Sequence, residues 1–362
     1  MKNLIEDIYG TIKDYRNDDG IYINKDHIQE WANQFGDDAE FVLKEFAHIV
    51  KQVYISKKEG YKYIESVLDF LQKEYKAANI KFLLCDTQFL LLQPEGKSQH
   101  KLMDMLDEIV LNKIGHHISE YDNYPKRHFI YIDDVLASGK TIGDDLIEWI
   151  EEDGHCDKIK NKQIDLKVLL ICSHSLGLSL QFYRISKHFN IDANSLIDVR
   201  DCYRIENNTK AFAPKLNIAM PIKNYLSQSA IEYFDKLQAE EKYSKYGFRD
   251  DNTPSIETFF TSKENRIKYE NILVNKGIEL LSTTSNVGDY TRPLGLVNPK
   301  YKTLGMGTHF FTWRNVPNNC PIVFWWEVSG CSWIPLFKKN EEYYVKSKNL
   351  QDKGFCHLCQ GE

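Results

Sequence analysis

Residues 128–142 read HFIYIDDVLASGKTI, and this stretch decides the fold. Phe129, Ile130, Tyr131 and Ile132 form an apolar strand that delivers two carboxylates, Asp133 and Asp134, to its carboxyl end. A small loop follows, Ala137-Ser138-Gly139, then Lys140 and Thr141, then a helix. Loop amides and a helix N-terminus suit an anion. Carboxylates suit vicinal hydroxyls or a hydrated Mg²⁺. The stretch therefore reads as a clamp for ribose and phosphate.

A Walker A loop is excluded. That motif requires Gly-x-x-x-x-Gly-Lys-Ser/Thr. Gly139-Lys140-Thr141 ends correctly, but Asp134 stands at the first glycine position, where its charge would face the phosphates. A plain helix cap is the simpler alternative, since Thr141 followed by Asp144 also reads as a capping box. A cap needs neither paired acids nor Ser-Gly-Lys, so the clamp is preferred.

Working outward, the hydrophobic period separates three regions. Residues 1–77 are expected to be a helical cap, with stripes at Ile28, Trp31 and Phe35, at Val42, Phe46, Ile49, Val50 and Val53, and at Ile64, Val67, Leu68 and Leu71. Residues 78–205 alternate strand and helix. Strands are expected at Ile80–Cys85, Phe89–Gln93, 128–134, 165–173 and 196–202, with helices over 98–112, 141–153 and 178–189. That alternation implies an α/β core with an open parallel sheet, whose ligands lie beyond the carboxyl ends of the strands. Residues 206–362 read as a C-terminal α+β region, with charged helices at 231–245 and 262–281 and a buried strand at 322–326.

The pattern apolar-Asp-Asp-x-x-Ala-Ser-Gly-Lys-Thr resembles the phosphoribosyl-pyrophosphate motif of type I phosphoribosyltransferases. The resemblance implies that Asp133 and Asp134 take the ribose hydroxyls and that Ala137, Ser138, Gly139, Lys140 and Thr141 wrap the 5′-phosphate. It implies phosphoribosyl pyrophosphate with Mg²⁺ as the ligand and chemistry at C1′. It also implies a pyrophosphate loop after an earlier strand, where Glu95, Gly96 and Lys97 stand; a plain strand-to-helix turn is the alternative there. Asp198, Asp201 and His174, on or beside later strands, are candidates for steering the acceptor. Ala137 departs from relatives with an acid at that place. Alanine cannot do acid–base work, so the acceptor stays open. The span 115–127 is short for the hood-like loop of the family.

The run 304–337 holds four of the six tryptophans, among them Trp313. With Asn315, Asn318 and Asn319 it can recognise a base by stacking and amide hydrogen bonds, or it can be a tryptophan-rich core beneath a structural turn. The helical start, the clamp and the block Asn-Val-Pro-Asn-Asn-Cys-Pro…Trp-Trp…Trp-Ile-Pro-Leu-Phe together resemble phosphoribosyltransferase-like effectors of bacterial conflict systems, among them retron-type antiphage modules. This resemblance implies an effector acting on nucleotides or nucleic acid. Its partners would be a reverse transcriptase with its RNA–DNA or other defence proteins. A nucleotide-sensing module without transfer is the competing class.

Composition bounds the rest. A net charge of −6 argues against wholesale nucleic-acid coating. No run approaches the roughly 18 apolar residues of a membrane span, and MKNLIEDIYG carries acids where a signal peptide needs an apolar core. A cytoplasmic protein with no membrane partner is expected. The eight cysteines do not form a secreted disulfide framework. Cys356 and Cys359, with Cys320 and Cys331, are weak zinc candidates, because the 320/331 spacing is wide for a knuckle.

Overall fold

The computed structural model describes residues 1–238, 240, 247–284, 287–327 and 332–339. The chain forms two compact units, Met1–Ser56 with Thr209–Glu362, and Lys57–Asn208.

In the first unit residues 1–56 fold together with described residues beyond 208. Helices α1 (Lys2–Ile12), α2 (Lys25–Asn33) and α3 (Ala39–Val53) lead into β1 (Tyr54–Ile55). The amphipathic faces read from the sequence are the buried ones, with Ile28, Trp31, Phe46 and Val50 fully covered. What covers them is the C-terminal aromatic block. Trp31 stacks on Phe324 at 5.7 Å and donates Nε1 to the Val323 carbonyl at 2.9 Å.

The second unit begins with α4 (Lys57–Glu74) and α5 (Ile80–Asp86). Strands and helices then alternate: β2 (Thr87–Leu90), α6 (Ser98–Ile114), β3 (His128–Leu136), α7 (Lys140–Glu151), α8 (His155–Lys160), β4 (Asp165–His174), α9 (Ser175–Phe189), α10 (Ala193–Leu196) and β5 (Ile197–Ile205). The sheet has the order β2-β3-β4-β5, every pair parallel. Phe129, Tyr131, Leu166, Val168 and Leu170 project from one face into a core with Ile142, Leu146 and Trp149 of α7 and Phe182 and Ile185 of α9. Strand alternation puts Lys167 on the opposite face, where its Nζ reaches Glu74 of α4. This is the α/β architecture expected, and it brings the carboxyl ends of β2 and β3 side by side.

After β5 the chain returns to the first unit through α11 (Gln228–Lys236), α12 (Lys263–Ser282) and β6 (Phe311–Thr312), which pairs with β1 in parallel.

Several elements differ from expectation. Residues 80–86 are helical, because the Asn79 side chain caps the Phe82 amide and the apolar residues divide between a buried side (Leu83, Leu84) and an exposed Phe82. Residues 322–324 form a 3-10 turn after Pro321, closed by the Phe324 and Trp325 amides, rather than a strand. The helix expected over 231–245 instead spans Gln228–Lys236 and ends at Leu237. The unit boundaries at 56 and 208 also differ from the divisions at 77 and 205, because α4 packs on α6 and β4.

Candidate functional site

Strand β3 ends in the acidic pair, and neither acid faces open water. Asp133 is 4% exposed and Asp134 is 9% exposed. Asp133 Oδ1 accepts from Ser98 Oγ at 2.7 Å and from the Asp134 amide at 2.8 Å, while Oδ2 accepts from Gln93 Nε2 at 2.7 Å. Burial, then the neighbouring Asp134 charge, pushes the Asp133 carboxyl up to about 7 against those three hydrogen bonds. Two desolvated carboxylates side by side are an electrostatically costly arrangement that a cation or hydroxyl donors relieve.

The residues beneath the pair fix its geometry. Gln93 Nε2 also donates to Tyr131 Oη at 2.8 Å, and that hydroxyl donates to Asp145 on α7 at 2.8 Å. Gln99 Oε1 accepts the Leu92 and Gln93 amides at 2.9 and 3.0 Å and so fixes the exit of β2. Between Gln93 and Ser98 lies the turn 94–97. It is exposed, Gly96 takes φ +85°, and the Lys97 amide closes on the Pro94 carbonyl at 3.3 Å. The expected pyrophosphate loop therefore lies beside the clamp, tied to Asp133 at both ends.

The loop 137–141 crosses onto α7. Gly139 is the residue before the helix at φ +72° and has no side chain to cap it, while the Lys140 amide donates to Ser138 Oγ at 3.4 Å. The first-turn amides of a helix have no intrahelical partners and suit an anion. Thr141 is the second helical residue, and Asp144 is taken by Lys140 Nζ at 2.5 Å and Arg184 at 2.7 Å, so the capping-box alternative is not what forms. Lys140 is thereby held along the helix. The loop is packed from below by α9: Gln181 Nε2 donates to the Ser138 carbonyl at 2.9 Å, and a Cβ on Gly177 would come within 2.0 Å of the Ala137 carbonyl.

The remaining candidates lie elsewhere. Asp198 pairs in register with Lys167 near the amino end of the sheet, away from the clamp, and is bridged by Lys167 at 3.1 Å and Arg200 at 2.9 Å. Asp201 aligns through Leu170 with Asp133, two strands away, or about 10 Å by strand spacing; there it accepts from Ser173 and Arg204. His174 is fully buried at the end of β4, and burial pushes its imidazole down to about 4. Trp313, Asn315, Asn318 and Asn319 belong to the other unit. Trp313 and Asn319 are buried, Asn318 Oδ1 accepts from Lys339, and the Asn318 carbonyl accepts the Leu296 amide at 2.8 Å, all as a structural turn requires.

Cys320 is buried and donates to the Phe310 carbonyl at 3.5 Å, with burial pushing its thiol up to about 12. Cys331, Cys356 and Cys359 lie outside the described residues. Among the described residues no group of three or more His, Cys, Asp or Glu is placed to hold a metal, and no helix is long and apolar enough to cross a membrane.

The sequence pointed to the acids and both loops, which the fold brings together, but not to Gln93, Ser98, Gln99, Tyr131 and Gln181, which hold them in place. Neutral amides and hydroxyls carry no spacing signal. The glycines at 143 and 177, at the starts of two helices flanking the clamp, were the one available clue.

No curated protein and no solved structure matches the chain at a significant level. A family model, PRTase-CE, matches residues 28–339, spanning most of both compact units with the clamp inside the matched segment. The chain therefore belongs to the PRTase-CE family, which is phosphoribosyltransferase-like.

Proposed function

We propose that this protein binds phosphoribosyl pyrophosphate, or a related ribose-5-phosphate nucleotide, and transfers or cleaves at C1′. The observation that carries the reading is the desolvated Asp133–Asp134 pair set between the Gly96 turn and the glycine-led start of α7. In this reading the carboxylates accept the ribose hydroxyls, and the 137–141 amides with the first turn of α7 hold the 5′-phosphate. The Gly96 turn, with Lys97 beside it, holds the pyrophosphate. Oxygen donors that repel one another suit Mg²⁺, which binds through one or two carboxylates and substrate phosphates; when bound it would neutralise pyrophosphate charge.

The chemistry asked of the protein is modest. The bond from C1′ to its leaving oxygen breaks, positive charge develops on C1′ and the ring oxygen, and an acceptor atom forms the new bond. Fixed negative charge beneath the ribose and amides on the phosphates stabilise that charge distribution by positioning rather than covalent catalysis. Ala137 supplies no acid or base. That absence favours the second reading, a sensor that binds the same ligand without turnover. The resemblance to conflict-system effectors supports a role in antiphage defence, with a reverse transcriptase and its RNA–DNA as expected partners. Deleting the gene from such a system and plating phage tests that wider role, and undiminished protection would contradict it.

Calorimetric titration with phosphoribosyl pyrophosphate and Mg²⁺, together with a pyrophosphate-release assay, tests the site. Binding with release supports the enzyme, binding without release supports the sensor, and no binding overturns both.

A further inference from the structure

In this fold the acid expected to meet the ribose already has occupants. A carboxylate offers about four lone-pair directions, and Asp133 fills three of them with Ser98 Oγ, Gln93 Nε2 and the Asp134 amide. Two of those donors are side chains that flank the Pro94–Lys97 turn. Ribose hydroxyls and the waters of a hydrated cation are donors of the same kind, so they compete for the same oxygens.

We propose that Gln93 and Ser98 form a latch: they fold the 94–97 turn onto Asp133 in the resting protein, and ligand enters by exchanging its own donors for theirs. The proposal rests on the ribose-phosphate reading and adds a regulation of that site.

The geometry around the latch supports a hinge rather than a rigid support. The base is firmly held, since Gln99 grips the Leu92 and Gln93 amides and His100 Nε2 lies 2.9 Å from the Gln93 carbonyl. The turn beyond it is exposed, and a Cβ placed on Gly96 would meet nothing within 4 Å. Loss of the Ser98–Asp133 bond therefore loosens the exposed turn about that base. Gln93 reaches further. Through Tyr131 it touches Asp145 on α7, the helix whose first turn follows the phosphate loop. Opening at Asp133 is thus communicated to both phosphate-facing loops, which makes filling of the ribose and pyrophosphate positions cooperative.

The latch and a simple supporting role differ in sign. If Ser98 only positions Asp133, Ser98→Ala weakens binding. If it competes with ligand, Ser98→Ala strengthens binding, by about ten- to a hundredfold for one lost neutral-to-charged hydrogen bond. The experiment is calorimetry of the full chain with Mg²⁺–phosphoribosyl pyrophosphate for the wild type, Ser98→Ala and Ser98→Thr, with amide hydrogen exchange across 93–99 in the absence of ligand. The expected result is tighter binding and faster exchange of the 95–98 amides in Ser98→Ala, with Ser98→Thr restoring wild-type values of both. Weaker binding by Ser98→Ala, or unchanged exchange, overturns the latch and leaves the ribose-phosphate reading standing. No binding by any of the three proteins overturns both.

Discussion

The two ends of the four-stranded sheet each carry a cluster of carboxylates, and they handle the charge in opposite ways. At the amino end, Asp165 accepts from His128 and from Tyr75 Oη at 2.6 Å, and the Tyr75 and His128 rings stack at 3.5 Å. Lys167 bridges Asp198 and Glu74, and Arg200 adds a second bond to Asp198. At the carboxyl end, the buried Asp133 has the Asp134 charge beside it and three hydrogen bonds from uncharged donors. The amino-end cluster is complete within the protein. At the carboxyl end burial and the Asp134 charge raise the Asp133 carboxyl, and a carboxylate perturbed in this way is a common feature of binding sites.

The pH responses of the two ends follow with opposite sign. Hydrogen bonds from His128 and Tyr75 overcome burial and hold the Asp165 carboxyl below its ordinary range. Its contribution to stability is present above the unfolded value near 4 and is lost as pH falls through the lower folded value. Asp133, raised to about 7 by burial and by Asp134, binds its proton more tightly in the folded state. Its carboxylate form therefore lowers stability increasingly as pH rises from about 4 to 7.

Substitutions can break this comparison, and the largest effect is expected at Gly177. An added Cβ would meet the Ala137 carbonyl backbone at 2.0 Å, a contact no rotamer relieves. Gly177→Ala is expected to cost about 3 kcal/mol by overpacking and to weaken ligand binding at least tenfold, read by denaturant unfolding and calorimetry. An Asp133→Asn protein should be more stable than wild type by about 2 kcal/mol at pH 8, with the gain shrinking toward pH 5. Asp165→Asn should do the reverse, losing about 1 kcal/mol at pH 7 after allowance for solvent screening, with the loss fading toward pH 3. Equal pH slopes for the two variants would remove the distinction between the ends. Lys167→Met should cost about 1 kcal/mol, since its partners are partly exposed, and leave ligand affinity unchanged. The smallest effect is expected at Lys140. Its bond to Asp144 is exposed, so Lys140→Ala should change stability by less than about 0.5 kcal/mol and affinity by less than threefold. A larger loss of affinity would place the Lys140 ammonium on the phosphate.

Much of the clamp end was legible in the sequence because its chemistry is local. An apolar run, two acids and a glycine before a helix lie within one short segment, and the alternation around it identified the parallel sheet. The supports were not legible. Gln93, Ser98 and Gln181 meet the clamp only after β2 and α9 have packed beside it. The same reason hid the partnership of Trp31 with Phe324, which joins opposite ends of the chain. Residues 80–86 misled because a short run of Ile, Phe and Leu reads equally as buried strand or amphipathic helix, and the Asn79 cap decided it. Asp198 misled because its strand begins at Ile197, which puts it at the wrong end of the sheet.

The central claim is that the acidic pair waits for a ribose phosphate. Its most direct test is calorimetric titration of Mg²⁺–phosphoribosyl pyrophosphate into the wild type and into Asp133→Asn/Asp134→Asn at pH 8. Saturable binding by the wild type, weakened at least a hundredfold in the double variant while that variant remains folded, is the expected result. Absence of binding by the wild type, or equal binding by both proteins, would contradict it.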